Sequence, residues 1–212
     1  MDEIKKRIKD LRFTEWDHGN KLLYSLCRNE NFFHRKSEII IAKSWIIGRS
    51  YAASLERQKK IKSSTDNFYR SKVVSKLKNP RLDFLLRKLK EKNRLTLPII
   101  PQVLHLHYYL MNKLGKITKK NVRSFSSKYL HFHLPNLFFL YDSRSKERIN
   151  KIVKEIPDDL KMFHETEKID KEYSKFFIKA FEFKRIIFEK YKVQLSPRHL
   201  DNVLLYTKRK NF

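Results

Sequence analysis

The residues best suited to chemistry lie between Gly115 and Arg144. Reactive side chains are dense there: Lys119, Lys120, Arg123, Ser124, Ser127, Lys128, Tyr129, His131, His133, Tyr141 and Asp142. Lys128 stands among apolar neighbours that include Phe125 and Phe132. An amine becomes nucleophilic near neutral pH when desolvation or nearby cations lower its pKa. The sequence therefore favours Lys128 as a nucleophile and Asp142 as a carboxylate that stabilises developing positive charge.

Helices are expected to position these groups. The predicted order is helix, tight connection, helix, apolar loop and helix, over residues 102–114, 115–117, 119–133, 134–141 and 143–156. Thr118 is a suitable cap for the second helix, and Asp142 is a suitable cap for the third. A non-catalytic role stays open for both residues. Asp142 could serve only as a helix cap, and Lys128 could be an ordinary cation.

This layout resembles the helix-hairpin-helix superfamily of DNA glycosylases, in its 8-oxoguanine-glycosylase-like branch. The matching segments are the hairpin LGKIT, the helix SFSSKYLHFH and the run PNLFFLYD, within residues 102–156. The resemblance implies that hairpin N–H groups hold a DNA phosphate, that a lysine attacks the sugar C1′, and that an aspartate capping a following helix assists. The family hairpin usually carries two glycines, whereas this one has only Gly115.

The resemblance leaves two lysines open as the nucleophile. Lys119 stands just after the hairpin, where the family places its lysine, and precedes Asp142 by 23 residues. Lys128 precedes Asp142 by 14 residues and has the more apolar surroundings.

Residues expected to contact DNA are Gly115, Lys116, Thr118, Lys119, Lys120, Arg123, Ser127 and Arg144. Residues expected to line a base pocket are Arg49, Glu56, Tyr129, His131, His133 and Tyr141.

A long helix from Ser37 is predicted to contribute to that pocket. At 3.6 residues per turn, Arg49, Ala52, Ala53 and Glu56 fall on one face. Small alanines would let a ligand approach, and the Arg49–Glu56 pair would frame the pocket. A structural ion pair is an equally good interpretation. Arg198 and Asp201 allow a similar interior pair near the end of the sequence.

Two His-x-His pairs do not predict a metal site. His105 and His107, and likewise His131 and His133, point about 200° apart on a helix, whereas zinc-binding pairs sit four residues apart. Cys27 is the single cysteine, so thiolate ligands and a disulfide framework are absent. We expect no metal and no cofactor.

A second enzyme class shares a short motif with this chain. Arg28-Asn29, followed after four residues by His34, resembles the Arg-polar-x-His motif of the all-α ribonucleases called HEPN domains. In that family the two residues act at a dimer interface. Here the motif falls in a predicted break between helices, whereas the family has it at a helix end.

The composition indicates a basic, all-α protein with a polyanionic partner. The 212 residues carry 49 Lys+Arg against 23 Asp+Glu, a net charge of +26, and residues 57–94 alone carry +11 (14 basic against three acidic residues). Such a charge repels itself unless phosphates neutralise it. The sequence is 41% hydrophobic and has only three glycines. Because an all-β fold needs frequent turn residues, this scarcity favours helices over strands. No apolar run reaches the ~18 residues of a membrane span, and no signal peptide is evident.

We therefore expect a compact, single all-α domain, or two helical lobes over about residues 1–97 and 98–212, in the cytoplasm. The predicted function is excision of a damaged or modified DNA base, in repair or in antiviral defence, with double-stranded DNA as partner and RNA not excluded. Two alternatives stay open: a non-catalytic DNA- or RNA-binding module, and the HEPN-like ribonuclease. Neither a membrane nor a small-molecule cofactor is expected.

Overall fold

A computed structural model describes residues 2–9, 15–58 and 67–205. These ranges contain eleven α-helices and no β-strand: α1 Asp2–Lys9, α2 Glu15–Leu26, α3 Ser37–Ser50, α4 Val74–Leu77, α5 Pro80–Lys92, α6 Ile100–Gly115, α7 Arg123–His133, α8 Ser143–Ile152, α9 Asp158–Glu165, α10 Lys171–Tyr191 and α11 Pro197–Leu205. Short 3₁₀ turns lie at Asn29–Asn31, Glu56–Gln58 and Leu97–Ile99, and a π turn at Tyr69–Val73. The all-α prediction is confirmed. Part of the basic stretch, residues 59–66, lies outside the described residues.

Helix starts follow the capping residues of the sequence. The side chain of Asn79 accepts a hydrogen bond from the Leu82 amide at the start of α5, and this cap separates α5 from α4 at Asn79-Pro80. Asp142 caps α8, as predicted, with its carboxylate accepting from the Ser145 amide at 2.7 Å. Each cap satisfies an amide that the first helical turn leaves without a partner.

The prediction of a long helix beyond Ser37 is wrong at its C-terminal end. α3 stops at Ser50, and Ala52 has a left-handed backbone with φ of 50°. The Gly48 carbonyl accepts hydrogen bonds from the Ala53 amide at 2.8 Å and from the Ser54 hydroxyl at 3.2 Å. These bonds fold the chain back over the end of α3, so Arg49, Ala52, Ala53 and Glu56 do not form one helical face.

Gly48 is required by this close return of the chain. A Cβ on Gly48 would lie 3.1 Å from the Ser54 Cα, whereas a Cβ on the helical Gly19 would meet nothing within 4 Å. We expect Gly48→Ala to lower the free energy of unfolding by about 1–3 kcal/mol, because backbone cannot rotate away as a side chain can. The matched control Gly19→Ala should gain up to about 1 kcal/mol. Urea unfolding compares the two, and equal gains would contradict the prediction.

The connection between α6 and α7 differs from the predicted hairpin. α7 begins at Arg123 without a side-chain cap. The Thr118 hydroxyl donates instead to the carbonyls of Leu114 and Lys120, at 3.0 and 3.1 Å, so the prediction that Thr118 caps this helix is wrong. Gly115 ends α6 without a positive φ, and a Cβ there would meet nothing within 4 Å. The backbone therefore does not require glycine at this turn.

Helix α7 lies at the centre of the fold. It packs against α2, α3 and α6, and from Phe125 to His133 every side chain is buried. α8 packs against α10 and α11. Buried apolar side chains form one continuous cluster from Leu23 to Leu204, which crosses the boundary near residue 97 considered for two lobes. Within the described ranges, no helix combines the length and the apolarity that crossing a bilayer requires.

Candidate functional site

Lys128 projects from the central helix into a nearly closed setting. Its side chain is only 3% exposed. The amine donates hydrogen bonds to the Ser124 hydroxyl at 2.6 Å and to the Tyr141 carbonyl at 3.0 Å. Because Tyr141 directly precedes Asp142, the amine lies beside the start of α8. Ser124 and Asp142 are half-buried, so this end of the lysine is the one nearest to solvent.

Helix α11 adds a second carboxyl group, Asp201, to this cluster. Asp201 is 5% exposed and accepts hydrogen bonds from the Ser145 hydroxyl at 3.0 Å and from Arg198 Nη1 at 3.3 Å. The sequence predicted the interior pair of Arg198 and Asp201, and the structure confirms it. Its place beside Lys128 and Asp142 was not predicted, because spacing along α11 contains no information about the neighbouring helices.

Tyr51 completes the inner side of the cluster. Arg198 Nη2 donates to the Tyr51 hydroxyl at 2.5 Å, and this hydroxyl donates to Asn20 Oδ1. The Lys128 amine lies 5.9 Å from the centre of the Tyr51 ring. Burial raises the pKa of Tyr51 to about 12, although Arg198 acts in the opposite direction, so Tyr51 stays a neutral donor. The cluster thus joins side chains from five regions of the chain.

The electrostatics of the cluster favour acid–base exchange. Desolvation lowers the pKa of Lys128; Asp142 and Asp201 act against this effect, and Arg198 and Arg144 add to it. Burial raises the pKa of Asp201 to about 6, with Arg198 lowering it and Asp142 raising it. An amine made less basic beside a carboxyl group that titrates near neutrality can act as nucleophile and proton carrier. No metal is required for such chemistry.

Three residues predicted to line a base pocket are instead core residues. Tyr129 and His131 are 0% exposed and His133 is 4% exposed. The Tyr24 hydroxyl donates to His131 Nε2 at 2.7 Å, and His131 Nδ1 donates to the Phe138 carbonyl at 2.8 Å. With its polar atoms bonded inside the chain, His131 presents no face to a base. Burial lowers the pKa of His131 to about 3, which keeps the ring neutral.

Tyr129 and His133 belong to a buried network of hydrogen-bonded side chains that the sequence did not predict. His34 Nδ1 donates to Asp83 Oδ1 at 2.6 Å, and the Tyr129 hydroxyl donates to His34 Nε2 at 2.8 Å. His133 Nδ1 donates to the Tyr129 carbonyl at 2.8 Å, and the Lys43 amine donates to His133 Nε2 at 3.1 Å. His34 is 2% exposed with both ring nitrogens occupied. This placement speaks against His34 as an RNA-cleaving residue, whereas Arg28 is exposed.

The remaining predicted pocket residues lie in two further places. Arg49 Nη2 lies 2.8 Å from Glu56 Oε1, and the same carboxylate accepts a hydrogen bond from Tyr69. Tyr141 is half-buried and its hydroxyl donates to Glu172 Oε1 at 3.1 Å. The six residues proposed for one base pocket therefore do not share a cavity in this conformation.

The residues expected to contact DNA divide by exposure. Four cations are exposed, Lys116, Lys119, Lys120 and Arg144, and Gly115 is half-buried next to them. Thr118 and Ser127 are buried, with Ser127 accepting from the Tyr141 amide at 3.0 Å. Arg123 Nη2 donates to Asp170 Oδ2 at 2.7 Å. The exposed four remain candidate phosphate contacts, whereas Thr118, Ser127 and Arg123 hold the fold together.

Comparison with family models, with curated proteins and with solved structures found no match to this chain.

Proposed function

We propose that this protein binds DNA and removes a damaged or modified base as an N-glycosylase, with Lys128 and Asp142 at the reacting sugar. The supporting observation is the cluster itself. A buried lysine amine lies 3.0 Å from the carbonyl that precedes a helix-capping aspartate, and a second carboxyl group with a pKa of about 6 is present. The likeness to helix-hairpin-helix glycosylases is in sequence alone; it assigns Asp142 and leaves Lys119 and Lys128 open as the nucleophile, and the burial of Lys128 beside Asp142 favours Lys128.

Each group has a distinct part in the proposed reaction. The deprotonated Lys128 amine forms a bond to C1′ while the C–N glycosidic bond breaks, and the base leaves with the bonding electrons and takes up a proton from water. Asp142 stabilises the positive charge that develops on the sugar. The nitrogen bonded to C1′ then releases a proton, which Asp201 can accept near neutral pH. Because the amine is 3% exposed, DNA binding must open the side of the cluster formed by Ser124 and Asp142.

The surface charge supplies the affinity for DNA in this proposal. Exposed Lys116, Lys119, Lys120 and Arg144 belong to the connection before α7 and to the first turn of α8, the two segments that border the cluster. Each phosphate that such a cation neutralises releases a counterion, so affinity should fall steeply with salt. These contacts position the duplex and do not select a base.

The experiment is a base-release assay on duplexes that carry a panel of damaged and modified bases, with alkali to reveal abasic sites. We expect Asp142→Asn to slow release by about 10²- to 10⁴-fold, because the amide loses the charge that stabilises the sugar cation. Asparagine still caps a helix, so the fold should persist. Asp158→Asn is the matched control, since Asp158 lies in the first turn of α9 and its side chain is 93% exposed. Equal rates for the two variants would contradict the role of Asp142.

A non-catalytic DNA- or RNA-binding module is the second candidate, and the burial of Lys128 is the observation that favours it. A lysine that is 3% exposed, with its amine bonded to Ser124 and Tyr141, can have a purely structural role that links α7 to the start of α8. In that case no duplex of the panel would acquire an alkali-labile site, while binding of DNA would remain tight.

A further inference from the structure

The outward face of α6 carries a cleft outside the Lys128 cluster, and of its lining residues only Lys116 belongs to the proposed phosphate contacts. Its volume is about 230 Å³, and its lining includes three rings and three lysines: His105, Tyr108, Tyr109, Lys113, Lys116 and Lys168. Among the described residues, no acidic side chain lines it. The combination of flat rings and cations without carboxylates suits a ligand that has both a planar and an anionic part.

One ring of the cleft is fixed by its neighbours. The Tyr109 hydroxyl donates to Asn79 Oδ1 at 2.9 Å. The Arg81 guanidinium and the Lys113 amine lie 5.6 and 5.5 Å from the centre of the same ring. Tyr108 is half-buried and packs against the hydrophobic core. Tyr109 is thus a fixed wall of the cleft, and Tyr108, held by core packing, is the ring that can stack a base with little loss of side-chain entropy.

The cleft is separate from the Lys128 cluster. His107, on the buried face of α6, stacks on Tyr173 with ring centres 3.7 Å apart and lies 3.2 Å from the Arg123 carbonyl of α7. His105 points about 200° away from His107 on the same helix. The cleft therefore opens on the face of α6 that is turned away from the helix that carries Lys128.

We propose that this cleft binds one unpaired nucleotide of a nucleic-acid strand, with the base stacked on Tyr108 and the flanking phosphates held by Lys113 and Lys168. The inference rests on the proposed nucleic-acid function and extends it from duplex DNA to single-stranded segments. Proteins that bind single strands without sequence preference combine aromatic platforms with a basic groove in this way. A continuous duplex would present phosphates to the lysines but no free base to the rings.

The test measures fluorescence anisotropy with a labelled oligothymidine and with an abasic oligomer of the same length. Tyr108→Ala should weaken oligothymidine binding by about 5- to 100-fold and leave abasic binding unchanged. Tyr108→Phe should retain the wild-type affinity, since the ring remains. Phe188→Ala is the matched control, because Phe188 is 45% exposed and has the Lys192 amine 5.9 Å from its ring centre, yet lies outside the cleft. Lys113→Gln with Lys168→Gln should lower the salt slope by about 1.4.

The outcomes separate this inference from the proposed function. If the wild-type chain binds neither oligomer nor duplex, both proposals fail. If it binds duplex and oligothymidine and Tyr108→Ala changes nothing, only the cleft proposal is overturned. Equal losses on oligothymidine and on the abasic oligomer would overturn stacking. Thymidine monophosphate that competes as strongly as the oligomer would assign the cleft to free nucleotides and overturn strand binding.

Discussion

Replacing Lys128 by alanine is expected to lower the yield of a borohydride-trapped protein–DNA adduct by at least about 1,000-fold. Borohydride reduces the imine that forms after the lysine amine bonds to C1′ and the sugar ring opens. The loss is expected because the Lys128 amine is bonded to Ser124 and to the Tyr141 carbonyl beside Asp142, whereas Lys119 is exposed. The measurement is gel mobility after reduction, on the duplex that the base-release assay identifies.

A matched buried lysine provides the control for this variant. Lys179 is 2% exposed, and its amine donates to Asn150 Oδ1 at 2.9 Å and to the Lys154 carbonyl at 2.7 Å. Lys179→Ala should lose comparable stability and keep the adduct. If Lys128→Ala retains the adduct and Lys119→Ala loses it, the nucleophile is the exposed Lys119. If the wild-type chain releases the base and yields no adduct, a water activated near Asp142 replaces the amine.

Acidification from pH 7 to pH 5 is expected to destabilise the fold through its buried histidines. Burial lowers the pKa of His107 to about 4 and that of His131 to about 3. The unfolded-state pKa of histidine is about 6.5. When the pKa of a histidine is lower than this in the folded state, the free energy of unfolding falls as the pH drops below 6.5, because the unfolded state binds the proton more readily. Each ring should therefore cost about 2 kcal/mol at pH 5 relative to pH 7.

Asp201 acts in the opposite direction and is the smaller effect. Its pKa of about 6 lies above the unfolded value, so its protonation stabilises the fold by about 1 kcal/mol over the same interval. His34 and His133, whose pKa values burial also lowers, add to the loss. The histidines therefore determine that the fold is destabilised on acidification. The net loss is a large part of the 5–15 kcal/mol that is typical for the free energy of unfolding of a domain.

The contribution of one buried histidine, His107, to this pH dependence can be measured with a single variant. His107→Leu removes the titration, and it leaves few bonds unmade because His107 Nδ1 has no partner in the described structure. The loss between pH 7 and pH 5 should shrink by about 2 kcal/mol in urea unfolding. An unchanged pH dependence in His107→Leu would assign the effect to other groups.

Local signals predicted the helices better than the site. Caps such as Asn79 and Asp142 act through the next three residues, so their effect is visible in sequence. The end of α3 was missed because no glycine or proline follows Ser50, and the stop depends on contacts of Gly48 with Ser54. Tertiary packing overrides helix propensity at such points.

The candidate site was predicted only in part for a related reason. Lys128 and Asp142 stand on consecutive helices, so one apolar loop brings them near each other. Asp201 on α11 and Tyr51, which follows the end of α3, reach the cluster from far away in sequence, and no spacing rule predicts that approach. The aromatic residues Tyr129 and His133 were expected at a pocket, yet their period also fits a core helix, and burial decided between the two.

The position of α11 has a consequence for the order in which the protein matures. Arg198 and Asp201 lie on the last of the described helices to leave the ribosome, while Tyr51, which Arg198 contacts, is made 147 residues earlier. A nascent chain can pack α2, α3 and α7 before α11 exists. The carboxyl group that titrates near neutrality is then still missing, so unfinished chains contain the lysine without its proton acceptor. In the proposed reaction, synthesis itself would therefore delay the reactivity of the cluster until the helices around it are complete.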